Sequence, residues 1–263
     1  MNNWQTFEIN CTYYLQNTFG EVASFIHCGG SNSKIPDIKV IAKNQTFFIE
    51  SKMAHAQCGQ FVLLPDSNNQ LFKYSPLNSF PINEYSLKII QYMNRNFTTF
   101  QTPTSSGIKI HFKNCENLFA NWICNFYKSK NVKFVITEGF KIIPIDKFYN
   151  SFDITATYRI KRSGSRKANK KDLETITAYL IKNIIDVEFF QANDHIFIKS
   201  SSTKLERRFT IDETEYYLST TNTSNVFEIR KLSNTSHANV IFSIALKKNI
   251  CGLSNEEFKG YLI

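Results

Sequence analysis

The sequence has no pattern that would place it in a membrane or join its cysteines to a metal. No stretch of its 263 residues approaches the about 18 apolar residues that a membrane-spanning helix needs. Its six cysteines show neither C-x-x-C spacing nor the Cys/His pairing of a zinc site, and no signal peptide is predicted. These absences predict a soluble, cytoplasmic protein whose cysteines are reduced.

Acidic residues are few compared with basic ones. The chain has 22 Asp and Glu against 31 Lys and Arg, which gives a net charge of +9 and a pI near 9.2. Such an excess favours a polyanionic partner, because basic side chains release counterions from phosphates. A basic run is usually only a solvated loop, but here it follows a predicted strand and is interrupted by glycine. Its members are Arg159, Lys161, Arg162, Arg166, Lys167, Lys170 and Lys171.

The hairpin predicted over residues 36–52 carries the most informative pattern. Two runs rich in Ile, Val, Phe and Thr flank Lys43-Asn44, which is typical of a hairpin turn. With these two residues as the loop, Asp37 falls opposite Glu50. Side chains alternate along a strand, so Lys52 shares a face with Glu50. One end of the hairpin therefore presents two carboxylates and an ammonium.

These three side chains have the chemistry of a nuclease site. Hard cations such as Mg²⁺ take carboxylate oxygens and keep several waters, one of which can attack phosphorus. The lysine can orient or deprotonate that water, or offset charge that develops on the phosphate. The simpler alternative is a strand-end Asp37 and a solvated Glu50–Lys52 pair. The pattern is typical of the PD-(D/E)XK nucleases.

Several polar residues lie close in sequence to this hairpin or on a neighbouring helix. His55, Gln57 and Gln60 follow it, and the glutamines are candidates to bond a phosphate or a bound water. The histidine is a structural or phosphate-contacting residue rather than a catalytic base. Glu8 lies beside the apolar stripe of a helix predicted over residues 3–18. It could supply a further acid, but a surface position is the more common outcome.

The remaining pattern predicts a mixed α/β (α+β) protein. Helices are predicted near 83–97, 116–129 and 171–184, and residues 66–82 are predicted to be a long loop. Strands are predicted at 22–27, 107–113, 132–137 and 140–145, in several short segments from 187 to 231, and near 238–247.

A basic arm from Tyr158 to Arg166 is the predicted sequence-reading element. Arg159 and Lys161 share one face of its strand, and a flexible tip follows. Arginine is well shaped to bond O6 and N7 of guanine in the major groove. The residues predicted to contact DNA in this region are Arg159, Lys161, Arg162, Ser163, Ser165, Arg166, Lys167, Asn234 and Asn239.

Several ordered stretches resemble the type II restriction endonucleases of the PD-(D/E)XK superfamily that recognise GCGC. The resemblance fades between about 170 and 230. The matching stretches are Asn3 to Glu8, Phe48 to Met53, Gln57 to Leu63, Tyr74-Ser75-Pro76, Tyr158 to Lys161, Ser163 to Arg166, Leu232 to Thr235, and Ala238 to Ile244.

This resemblance implies an enzyme that binds double-stranded DNA, requires Mg²⁺, acts as a monomer and has a cognate DNA methyltransferase in the same cell. By position, Asp37, Glu50 and Lys52 become the catalytic set, with Asp37 and Glu50 as metal ligands. The family member has Ser-Asp where this chain has Pro36-Asp37, one residue fewer before the glutamate, and alanine in place of Ser51. Neither change is expected to affect the chemistry.

The resemblance also implies three modules, and two other functions remain open. The catalytic module would span 1–150, the recognition module 151–168 and 231–263, and an inserted DNA-backbone-binding module 169–230. One alternative is a repair nickase or junction resolvase of the same fold. The other is a non-catalytic DNA-binding protein, against which the presence of Asp37, Glu50 and Lys52 argues.

Overall fold

A computed structural model describes residues 3–29, 35–162, 164–183, 186–192, 194–201, 207–221 and 223–263. Its helices are α1 (Asn3–Phe19), α2 (Glu84–Arg95), α3 (Phe97–Phe100), α4 (Cys115–Lys128), α5 (Phe148–Ser151), α6 (Leu173–Asn183) and α7 (Asn255–Gly260). Its strands are β1 (Ala23–His27), β2 (Ile38–Ala42), β3 (Thr46–Ser51), β4 (His55–Asp66), β5 (Leu71–Tyr74), β6 (Ile108–Ile110), β7 (Val132–Thr137), β8 (Lys141–Pro144), β9 (Phe152–Arg162), β10 (Ser165–Lys167), β11 (Glu188–Ala192), β12 (His195–Lys199), β13 (Arg208–Ile211), β14 (Thr214–Thr220), β15 (Val226–Leu232) and β16 (Ser236–Leu246).

The chain forms two compact units. The larger one, which contains the predicted nuclease hairpin and is therefore called the nuclease unit, comprises Asn2–Ile160 and Ala238–Ile263, and the smaller one, the inserted unit, comprises Lys161–His237. The fold class is mixed α+β, as predicted. The finer division into three functional modules stays a prediction. No helix in the described ranges is long and apolar enough to cross a membrane.

The first sheet of the nuclease unit contains the predicted hairpin. Its strand order is β1-β2-β3-β7-β8, and only the β3–β7 pair is parallel. Ile38 of β2 pairs with Ile49 of β3, so the register continues to Asp37 opposite Glu50. The hairpin prediction is therefore confirmed. Asp37 directly precedes β2 and Glu50 lies near the end of β3, so both acids lie at the same end of the hairpin.

Helices cover both faces of this sheet. On one face, Cys11, Leu15 and Phe19 of α1 join Phe258 of α7 in a cluster with the inward side chains of β2 and β3. On the other face, α4 packs against β7, whose Val132 and Val135 join the cluster that contains Trp122 and Ile123 of α4. Alternate residues of β7 enter the two clusters. The nuclease unit thus has the predicted mixed sheet flanked by helices.

The second sheet of the nuclease unit joins distant parts of the sequence. Its strand order is β5-β4-β16-β9-β6, so β16 lies in the middle. The pairing of β4 with β16 shifts register between Phe242 and Ser243. At this shift Gly59 lies directly against the ring of Trp122, and a Cβ added at Gly59 would come within 2.7 Å of that ring.

We expect Gly59→Ala to destabilise the nuclease unit. The added methyl would overlap the buried Trp122 ring, and overpacking of this kind costs about 1–3 kcal/mol. Gly260→Ala is the matched control, because a Cβ at Gly260 meets nothing within 4 Å. Urea denaturation of both variants measures the difference. Equal free energies of unfolding for the two variants would show that the Trp122 ring moves aside without loss of stability.

The third sheet and α6 form the inserted unit. The strand order is β11-β12-β15-β14-β13, and β10 pairs with β15. Its core contains Ile176 and Leu180 of α6, packed with the inward side chains of the sheet, such as Ile198 and Ile229. The short strands predicted between residues 187 and 231 are confirmed.

Several elements were not predicted from the sequence, and β5 and α7 are two of them. Residues 66–82 contain β5, which pairs with β4 and buries Phe72 against Phe97 and Tyr158, so the prediction of one long loop was wrong. The short helix α7 is capped by Ser254 and Glu257, whose side chains and amides bond reciprocally. Both elements are short, and tertiary packing supports them more than local pattern does.

Candidate active site

Asp37, Glu50 and Lys52 lie together at the end of the hairpin. Lys52 Nζ is 2.8 Å from Glu50 Oε1. The amide of Ser51 donates to Asp37 Oδ2 at 2.8 Å, which joins the two strands at this point. Asp37 is 8% exposed, and the side chains of Glu50 and Lys52 are 14% and 17% exposed. The cluster is buried but retains a route to solvent.

The backbone around the cluster is fixed by the neighbouring strands. The amide of Lys52 donates to the carbonyl of Ile136 at 2.9 Å, so this residue continues the parallel pairing with β7. The amides of Cys28 and Gly29 both donate to the carbonyl of Asp37, at 2.7 and 3.0 Å. The carboxylates and the lysine are thus attached to rigid strands, which suits a catalytic constellation.

Burial and like charge make Asp37 a weak acid. Burial, with the Glu50 carboxylate adding to it and Lys52 opposing it, raises the pKa of Asp37 to about 7. Burial disfavours the Lys52 ammonium, but Glu50 and Asp37 outweigh this effect and raise the pKa of Lys52 above its usual range. Lys52 is therefore protonated at neutral pH. It acts as a cation here rather than as a ready base.

We expect the metal-free protein to lose stability as the pH rises from about 4 to 7. The raised pKa of Asp37 means that the folded state holds a proton which the unfolded state releases over this range. Stability from that proton is fully present below the unfolded pKa and is lost as the pH approaches 7. Asp37→Asn should therefore stabilise the metal-free protein at pH 8 by on the order of 2 kcal/mol.

Thermal melting across this pH range, in the presence of EDTA, measures the effect. The matched control is Glu84→Gln, which alters an acid that is 66% exposed on α2. That variant should follow the wild-type pH dependence. If Asp37→Asn also showed the wild-type pH dependence of melting, ionisation of the buried Asp37 would not be what destabilises the protein.

The donor set suits a hard divalent cation. Asp37 and Glu50 place two carboxylates beside a single ammonium, and each carboxylate has a second oxygen to offer. Within the described ranges no group of three or more His, Cys, Asp or Glu side chains could hold a metal ion. Mg²⁺ commonly binds through one or two carboxylates and completes its shell with water and substrate phosphate. The Asp37 and Glu50 carboxylates therefore fit such an ion.

Glu8 is the residue that sequence reasoning placed wrongly. It is 7% exposed rather than on the surface, because it lies on the buried side of α1, three residues before Cys11. Burial raises the pKa of Glu8 to about 7, with Lys52 lowering it and Glu50 raising it. His27 Nε2 is 3.4 Å from Glu8 Oε2. The spacing of Glu8, Cys11, Leu15 and Phe19 was the available signal for burial.

His55 and Gln57 line a groove on the second sheet, with a volume of about 480 Å³. Asp153 and Thr155 of β9 also line it, together with Ser243 of β16. Sequence reasoning missed these last three because they are distant along the chain. A carboxylate in such a groove accepts hydrogen bonds from amino groups but repels phosphates.

The other predicted DNA-contacting residues of the nuclease unit differ in how far they are exposed to solvent. Gln60 is exposed on β4, Arg159 is half-buried on β9, and Asn239 is 3% exposed on β16. Asn239 pairs with Val62 across β16 and β4. Its side chain therefore belongs to the interior of this sheet in the structure.

In the inserted unit, the end of β9 and β10 lie beside the 230–235 segment. Arg162 donates to the carbonyl of Ser233 at 2.6 Å and to Glu215 at 2.5 Å. Ser165 accepts a hydrogen bond from Arg230 and begins β10, which pairs with β15. The prediction of a flexible tip was therefore wrong for Ser165 and Arg166. Arg166, Lys167 and Asn234 are exposed, and Lys161 is half-buried. Ser163 lies outside the described residues.

A mixed sheet flanked by helices, with an aspartate opposite a Glu-x-Lys strand end, is the architecture of the PD-(D/E)XK nucleases. No protein-family model and no curated protein matches the chain. Among solved structures, HhaI endonuclease in complex with DNA (pH 6.0) is 39% identical, with a TM-score of 0.81. The similarity covers 99% of this chain and 98% of that one. The chain belongs to the HhaI family of type II restriction endonucleases.

Family membership decides between the functions left open by the sequence. The similarity extends over nearly the whole chain, and so it includes both the nuclease unit and the inserted unit. A repair nickase, a junction resolvase or a non-catalytic protein is therefore set aside. Membership of a restriction endonuclease family also suggests a divalent metal cofactor.

Proposed function

We propose that this enzyme hydrolyses double-stranded DNA at GCGC with Mg²⁺ as its cofactor. The observation that carries the proposal is the buried Asp37–Glu50–Lys52 cluster in a chain similar over its full length to HhaI endonuclease. The GCGC site follows from the family resemblance of the recognition stretches. We further propose that the enzyme acts as a monomer and that a methyltransferase in the same cell protects its sites.

Each residue of the cluster has a distinct task in this proposal. Asp37 and Glu50 hold the metal ion through carboxylate oxygens. When bound, Mg²⁺ supplies an activated water and neutralises charge on the scissile phosphate. Lys52, protonated and held by Glu50, stabilises the charge that develops on the phosphate and orients the attacking water. The Ser51 amide keeps the Asp37 carboxylate oriented.

In this proposal some residues recognise the DNA sequence and others bind only the DNA backbone. The arm from Tyr158 to Arg166 and the exposed residues of the segment from Asn234 to Asn239 read the sequence, while His55, Gln57 and Gln60 contact DNA near the scissile phosphate. The module at 169–230 holds the backbone without reading it. The catalytic module at 1–150 and the recognition module at 151–168 and 231–263 complete the arrangement.

The most direct test is digestion of mapped plasmid DNA in Mg²⁺, followed by sequencing of the fragment ends. A defined ladder with every end at GCGC is expected. Ends at another palindrome would retain the enzyme class but replace the proposed specificity. Nicks without fragments, or no cleavage of any DNA in Mg²⁺, would contradict the proposed activity.

We expect a triple substitution in the inserted unit to weaken binding to every DNA equally. Lys199, Arg207 and Arg208 are exposed, and each phosphate contact contributes about −0.9 to the log–log salt slope. Replacing all three by alanine should flatten the slope by up to about 2.7 and leave site preference unchanged. Lys204, a fourth basic residue predicted to take part, lies outside the described residues.

The control for this experiment removes three positive charges elsewhere. Lys88, Lys109 and Lys113 are exposed in the nuclease unit, and their replacement changes the net charge by the same amount. Binding titrations at several salt concentrations compare the two triple variants. Equal salt slopes for the two triple variants would show that the salt dependence follows the overall charge and not phosphate contacts of the inserted unit. A changed site preference would mean that this unit reads bases.

A further inference from the structure

A carboxylate and an imidazole form a second polar pair near the Asp37–Glu50–Lys52 cluster. Glu8 belongs to α1 and His27 to the end of β1, and their nearest polar atoms are 3.4 Å apart. The Glu8 side chain is 10% exposed and the His27 side chain 32%. The imidazole therefore connects a buried carboxylate with solvent.

The segment after His27 fits closely around this pair. A Cβ added at Gly29 would lie 2.4 Å from Glu8 Oε2 and 2.8 Å from His27 Nε2. Only glycine leaves room here for the two side chains as they are placed. The amides of Cys28 and Gly29 both bond the carbonyl of Asp37. The position of His27 is thereby fixed relative to the backbone of a catalytic carboxylate.

The charge on Glu8 is coupled to the Asp37–Glu50–Lys52 cluster. Glu50 and Lys52 act on Glu8, and Glu8 in turn acts on Asp37 and on the Cys11 thiol beside it. Burial raises the pKa of Glu8 to about 7. A change in its protonation near neutral pH therefore alters the field in which the two carboxylates and Lys52 operate.

We infer that His27 is a positioning residue for the nuclease site. It holds the Glu8 carboxylate at the edge of the Asp37–Glu50–Lys52 cluster, and the pair sets how metal binding and cleavage depend on pH. This inference rests on the proposed function. Within the described ranges no third acid completes a metal-binding group with Asp37 and Glu50, so Glu8 acts through its charge rather than as a ligand.

The test compares single-turnover cleavage of a DNA with one GCGC site between pH 5.5 and 8.5. The imidazole lies 3.4 Å from Glu8 Oε2, and loss of a ring N–H that favours the ionised carboxylate should move the acidic limb of the His27→Gln profile to higher pH. We expect a loss of about three- to tenfold at pH 6.5, equivalent to a shift of about 0.5–1 pKa unit, and little loss at pH 8.5. In an E8Q background, His27→Gln should have no further effect.

Two further variants keep the test informative. Gly29→Ala, which forces the pair apart while retaining His27, should shift the profile in the same direction. Ser24→Ala, an exposed substitution on the same strand, should match the wild type. The rise in melting temperature caused by Mg²⁺ without DNA provides a second readout, and it should fall at pH 6.5 in both His27→Gln and Gly29→Ala.

Unshifted profiles in both His27→Gln and Gly29→Ala would overturn the inference, as would a full effect of His27→Gln in the E8Q background. Failure of the proposed function is recognised separately, because the wild type would then cleave no DNA in Mg²⁺. In that case the Mg²⁺-dependent melting of the same variants still decides the role of His27.

Discussion

Replacing Asp37 or Glu50 by alanine should abolish DNA cleavage while sparing DNA binding. Each substitution removes one of two carboxylates that we propose hold the metal ion, and removing even a single electrostatic stabiliser from an active site costs on the order of 10²- to 10³-fold in rate. We expect a loss of at least that size in single-turnover cleavage with Mg²⁺. Binding should change little because the basic residues remain.

The control for this prediction is Glu84→Ala, which removes an exposed acid of the same unit. It should cleave at the wild-type rate. Gel-shift titrations without Mg²⁺ check that Asp37→Ala and Glu50→Ala still bind DNA. Substantial cleavage by both variants would remove these residues from the catalytic role.

Arg166→Ala should reduce the preference for GCGC more than it reduces general DNA binding. Arg166 is exposed on β10, and a bidentate arginine–guanine contact contributes about 1–3 kcal/mol of discrimination. This corresponds to about a 5- to 150-fold loss on GCGC relative to a scrambled duplex. Competition binding with the two duplexes at one fixed salt concentration measures the ratio.

Arg162→Ala provides the comparison within the same arm. Its guanidinium is engaged by Glu215 and by the carbonyl of Ser233, so its loss should loosen the arm and weaken binding to both duplexes alike. If Arg162→Ala caused the selective loss and Arg166→Ala did not, Arg162 would have to exchange Glu215 for a base. Equal losses on both duplexes for Arg166→Ala would assign Arg166 to the phosphates.

The sequence was informative wherever a feature depends on local pattern. Alternation of apolar residues and a two-residue turn are enough to bring Asp37 opposite Glu50, and the register of the hairpin confirms it. The helices α1, α2, α4 and α6 follow from their spacing in the same way. None of these features requires knowledge of distant segments.

The features that escaped prediction depend on packing between distant segments. Glu8 is buried only because α1 lies against the first sheet, and its contact with His27 spans 19 residues of sequence. The groove at His55 receives Asp153 from about a hundred residues further along the chain. Arginine is a residue type suited to base recognition, which is why Arg162 was predicted to contact DNA. Its ion pair with Glu215 is visible only in the folded chain.

The central place of β16 in the second sheet has a consequence for synthesis on the ribosome. This strand separates β4 from β9, although it follows β9 by more than seventy residues. The inserted unit is therefore complete before the sheet that precedes it in sequence can close. The groove and the core behind it can form only after β16 (Ser236–Leu246) has left the ribosome. A growing chain thus completes its inserted unit before it completes its nuclease unit.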